Sequence, residues 1–76
     1  MKRGENMTEE EMLEIARRRV WQSPLSPHRK QLALDDIELQ IGYDVDEGTP
    51  PDIDRIHALA IASIARQIRQ LNRKGV

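Results

Sequence analysis

Four groups of residues in this chain have types and spacings that could do chemistry. The first is the acidic run Asp44, Asp46 and Glu47, with Asp52 and Asp54 just beyond. Alternating carboxylates are how a calcium loop presents its oxygens. A loop of that kind starting at Asp44 needs Gly at position 49 and a bidentate Glu at position 55. Thr49 and Arg55 stand there instead, so the run predicts a solvated turn and helix capping. With no cysteine and two histidines, a structural zinc site is not expected either, and neither are a disulfide framework and thiolate chemistry.

The second group is His57, with Asp54 one helical turn before it. An Asp–His pair can polarise an imidazole for base catalysis. No nucleophile stands beside it, because Ser63 lies about 120° away around the same helix. His57 therefore reads as a packed or interface histidine. In a symmetric dimer it would sit near its own copy, and its charge would then depend on pH. No catalytic residue and no cofactor are expected, and the chain does not read as an enzyme.

Two groups are cationic. Arg17, Arg18 and Arg19 are adjacent, but successive helical residues turn by about 100°, so the three point in different directions. Arg18 is spaced to pair with Glu14, and all three suit a helix C-terminus. Arg55, Arg66, Arg69 and Arg73 instead fall within roughly 60° of one another on a helix. They form a candidate partner-binding row for phosphates or an acidic protein surface. Trp21 and Tyr43 are the only aromatic residues, so nothing interleaves with the row to stack bases. Nor does a reading helix stand behind a tight turn.

These residues sit on elements that the sequence punctuates clearly. Thr8 and Glu11 form a capping box, which predicts a helix over about Glu9–Gln22 with Met12, Leu13, Ala16 and Val20 on one face and Ile15 at its edge. Trp21 points away from that stripe, either under the following loop or toward a partner. Ser23-Pro24-Leu25-Ser26-Pro27 is a break, and Ser26 with Pro27 starts a second helix to about Tyr43. Its apolar residues form two opposite stripes: Ala33, Leu34, Ile37 and Ile41 on one side, and Leu32, Leu39 and Tyr43 on the other. A surface helix of a monomer needs only one such stripe. Residues 37–45 also alternate apolar and polar, which is a strand pattern. Without a second strand to pair with, helix is the expectation.

After a second break at 44–48, Thr49 as N-cap and Pro50 at the first helical position predict a helix from Pro50 to Lys74, roughly 37 Å long. Asp52 and Asp54 on its first turn and Arg73 and Lys74 on its last suit the dipole, and Gly75 ends it. Ile53, Ile56, Ala60, Ile64, Ile68 and Leu71 form its apolar stripe. The stretch from His57 to Ala65 is apolar nearly all round, as in helices buried on more than one side. Its small residues, Ala58, Ala60, Ala62, Ser63 and Ala65, suit close helix approach.

Seventy-six residues allow one domain, whose own core is marginal. Residues 1–7 read as a disordered lead, with Met7 as an alternative start, and 8–76 as a single helical domain. A net charge of −1 with 33% charged residues gives no global drive toward nucleic acid or anionic membrane. The absence of a long apolar run points to a cytoplasmic protein. No family motif is present. The expectation is an all-α bundle of two or three helices with a long C-terminal helix, assembled as a homo-oligomer. Its interface would use Ile53, Ile56, His57, Ala60, Ile61, Ile64, Ile68 and Leu71 from the last helix, and Leu32, Leu39 and Tyr43 from the second. The expected function is protein–protein interaction, as a regulator, inhibitor or adaptor of the kind phages and mobile elements encode. A dimeric nucleic-acid regulator using the arginine row ranks second. A small-ligand (nucleotide) sponge, with pockets between subunits lined by Arg, His57 and Tyr43, ranks third.

Overall fold

A computed structural model describes residues 7–75 of the chain. Among them run three helices, α1 (Glu9–Trp21), α2 (Pro27–Asp46) and α3 (Ile53–Gly75). Local chemistry starts each one. Thr8 Oγ1 accepts from the Glu11 N–H at 3.1 Å, and the Glu11 carboxylate accepts from the Thr8 N–H at 2.9 Å, the reciprocal box predicted above. Ser26 Oγ accepts from the Arg29 N–H at 3.3 Å, with Pro27 opening α2.

The start of α3 departs from the sequence expectation. Asp52, not Thr49, is the cap: its carboxylate accepts from the Arg55 N–H at 2.8 Å. Pro50 lies outside the helix. The tandem prolines explain this. The Pro51 ring disfavours a helical conformation at Pro50, so the chain stays extended until both are passed. A full carboxylate also suits a helix N-terminus better than a hydroxyl does. Pro51 itself is buried.

The helix α2 runs three residues past Tyr43. It ends in a Schellman closure: the Gly48 N–H donates to Val45 O and the Thr49 N–H to Asp44 O, both at 3.0 Å. Gly48 holds φ +84°, a left-handed value glycine adopts without penalty. The strand alternative for residues 37–45 is excluded, since all nine are helical. The alternation there is two helical rows interleaved. Ile37 and Ile41 are buried with Val45 packed at their edge, whereas Leu39 and Tyr43 point outward.

Each helix packs against the other two. The core is aliphatic: Met12, Ala16 and Val20 of α1, Leu25 of the linker, Ala33, Leu34, Ile37 and Ile41 of α2, and Ile56 and Ala60 of α3. Met7, assigned to the lead above, packs against this cluster. Residues 1–6 of that lead lie outside the described residues.

The inward row of α3 is Ile56, Ala60, Ser63 and Gln67, so the helix is rotated relative to its apolar stripe. Ser63 and Gln67 are 2% and 8% exposed, while Ile53 and Ile68 of the expected stripe are 52% and 37% exposed. Buried polar groups need partners, and these have them. Ser63 Oγ donates to Ala33 O at 3.1 Å. Arg29 donates to Gln67 Oε1 at 2.9 Å and to Gln70 Oε1 at 3.2 Å. The small side chains of Ala33, Ala60 and Ser63 let α2 and α3 come close enough for the hydroxyl to reach the carbonyl.

Candidate interaction surfaces

Among the described residues, two apolar surfaces remain once the core is closed. One is the outer face of α2. Leu32, Leu39 and Tyr43 lie opposite the buried row and are 38%, 56% and 54% exposed. Leu39 and Tyr43, with Gly42 between them, line a shallow groove of about 400 Å³ bordered by Asp35, Glu38 and Asp46. The second lies where α3 borders the end of α1. Ile61, Ile64, Ala65 and Ile68 floor a groove of about 440 Å³ whose edge is Arg19, Gln22 and Ser23. Leu71 continues the exposed flank toward the C-terminus and Ile53 toward the N-terminus.

Of the residues expected at an interface, Ile56 and Ala60 are fully enclosed within the protomer. They are corrected to core residues, because the inward row of α3 places them in the aliphatic cluster rather than on the outer flank. Ile53, Ile61, Ile68 and Leu71 are exposed, and His57 and Ile64 are half-buried. His57 makes no hydrogen bond to Asp54 among the described residues. It stands on α3, whereas Tyr43 faces outward from α2, so one protomer does not bring these two side chains into a common pocket.

The arginine row divides. Arg55 Nε pairs with Asp44 Oδ2 at 3.1 Å, and Arg66 pairs with the carboxylate of Asp36. These two clamp α3 to α2. Arg69 and Arg73 are exposed and pair with no carboxylate among the described residues. In the adjacent triplet, Arg17 and Arg18 both reach Glu14, at 3.1 and 3.7 Å, while Arg19 borders the α1–α3 groove. Trp21 is 46% exposed. The Lys30 ammonium lies 4.7 Å from its ring centroid and donates to its carbonyl at 3.1 Å, which fastens the α1–α2 corner.

Sequence reasoning overlooked Arg29, Gln67 and Leu25. A signal for Gln67 existed: 56, 60, 63 and 67 follow the i, i+4, i+7, i+11 spacing of one helical face, but hydropathy outweighed spacing at its polar members. Within the acidic run, Asp44 pairs with Arg55 and Asp52 caps α3. Among the described residues, no group of three or more metal-ligating side chains converges, and no helix is long and apolar enough to cross a membrane. Compared with models of protein families, with curated proteins and with solved structures, the chain has no significant match.

Proposed function

We propose that this chain is a self-associating helical module that works by binding protein: first its own copies, then a partner protein that it regulates, inhibits or connects. One observation carries the reading. Large apolar side chains cluster on two surfaces, Leu32, Leu39 and Tyr43 on α2 and Ile53, Ile61, Ile68 and Leu71 on α3, outside a core that is already closed. Scattered exposed apolar residues need no explanation, but grouped ones mark association surfaces. Burying such a side chain from full exposure contributes about 1.5–3 kcal/mol, and covering the part still exposed here contributes roughly half of that. A domain this small gains proportionately more from that than a large one would.

Light scattering at micromolar concentration tests the reading. At least twice the mass of one chain is expected. A monodisperse monomer with a sharp thermal transition contradicts it. The nucleic-acid alternative rests on Arg69 and Arg73, since Arg55 and Arg66 are already neutralised by α2. Replacing Arg69 and Arg73 with Gln, which leaves the Arg66–Asp36 clamp in place, separates the alternatives. Phosphate contacts would give micromolar binding of DNA or RNA at physiological salt in the parent, with the salt slope falling by nearly one unit per contact removed. We expect no such binding in either form.

A further inference from the structure

We infer that copies of this chain join unlike faces: the acidic outer face of α2 in one copy docks on the α1–α3 groove of the next. The inference rests on the self-association reading and specifies its geometry.

Charge selects the pairing. The α2 groove surrounds Leu39 and Tyr43 with Asp35, Glu38 and Asp46 and, among the described residues, has no cation in its lining, while Arg17 borders Asp35 and Glu38 from the α1 side. The α1–α3 groove sets Arg19 beside Ile61 and Ile68 and, among the described residues, has no carboxylate in its lining. Packing α2 on α2 would bring two sets of three carboxylates together at a surface losing its water, and such like-charge juxtaposition costs several kcal/mol. Packing α2 on the α1–α3 groove covers Leu39 and Tyr43 with isoleucine and brings Arg19 among carboxylates.

The fold then decides the symmetry. The exposed row of α2 is directly opposite its core row. The flank of α3 beside α2 is occupied by the Arg55–Asp44 and Arg66–Asp36 clamps, so the apolar flank lies on the other side, beside α1. The two grooves therefore look away from each other across the bundle. A two-fold dimer cannot join them reciprocally. The contact is head-to-tail, and it closes into a ring or extends as a filament according to its rotation angle.

Two surface variants test this by sedimentation. Leu39→Ser with Tyr43→Ser disables the α2 face, and Ile61→Ser with Ile68→Ser disables the groove. All four side chains are exposed in the protomer, so far-ultraviolet dichroism should remain that of the parent. Each variant alone should be monomeric. Their equimolar mixture should form a 1:1 heterodimer that grows no further, because a single intact junction remains. A charge swap gives an independent readout: Arg19→Glu and Glu38→Arg should each weaken assembly by about tenfold or more, and the two together in one chain should restore it.

A monomeric parent overturns the self-association reading and this inference with it. An oligomeric parent overturns the face pairing alone in three cases: both serine variants still assemble, their mixture stays monomeric, or the charge swap fails to rescue. If a serine variant does not fold, the charge swap decides, since Arg19 and Glu38 are exposed.

Discussion

Ile37 and Leu39 are two positions apart, yet one is 0% exposed and the other 56%, so the same kind of truncation should have opposite readouts. Ile37→Ala leaves a cavity in the aliphatic cluster and should cost about 2–5 kcal/mol in denaturant melts. Leu39→Ala should leave the protomer's stability nearly unchanged and act on assembly mass instead. Arg29 is the less obvious case. Arg29→Ala takes the donor from Gln67 Oε1 in a nearly closed site and should cost about 1–3 kcal/mol, whereas Arg18→Ala should stay within about 0.5 kcal/mol. Equal melting points for the Arg29 and Arg18 variants would show that the Gln67 contact adds no stability. The contrast marks what could be seen in the chain alone. The two rows of α2 are a matter of periodicity and were legible. The partnership of Arg29 with Gln67 spans 38 positions and depends on how α3 is rolled, which no local pattern contains.

The helix ends carry predictions of their own. Asp52→Ala should cost about 1 kcal/mol by removing the cap of α3. Thr49→Ala should cost markedly less, because its hydroxyl reaches only Asp44 O at 3.4 Å. The reverse order would restore Thr49 as the cap. The two central glycines should also differ in sign. An added Cβ meets nothing within 4 Å at either, so backbone conformation alone decides. Gly48→Ala forces a side chain into the left-handed region and should cost about 1–2 kcal/mol. Gly42→Ala, inside α2, should stabilise the protomer by about 0.5–1 kcal/mol. Thermal melts of the two variants at a concentration where the parent is dissociated would check both. Capping was readable wherever one short motif settled it, as at Thr8 and Ser26. At Thr49 the first acceptable motif was not the one used, since the second proline postponed the helix.

For the molecule as a whole, the all-α class and the long last helix were legible because two proline- or glycine-marked breaks separate three apolar patterns. The face that α3 turns inward was not. It is fixed by Ala33, Ala60 and Ser63 allowing close approach, and by the Asp36 and Asp44 carboxylates holding Arg66 and Arg55 from α2. The interior that results contains no aromatic ring, since Phe is absent and Trp21 and Tyr43 are both about half exposed. The core is thus optically silent in the near ultraviolet. Trp21 emission reports the corner where Lys30 covers its ring, and a change in it that precedes the loss of helix would show that corner loosening before the isoleucine cluster melts. The helical backbone signal reports the core directly. Tyr43, on the outer face of α2, becomes a natural reporter of crowding: a near-ultraviolet band that strengthens on concentration, at constant helix content, would come from one copy meeting another.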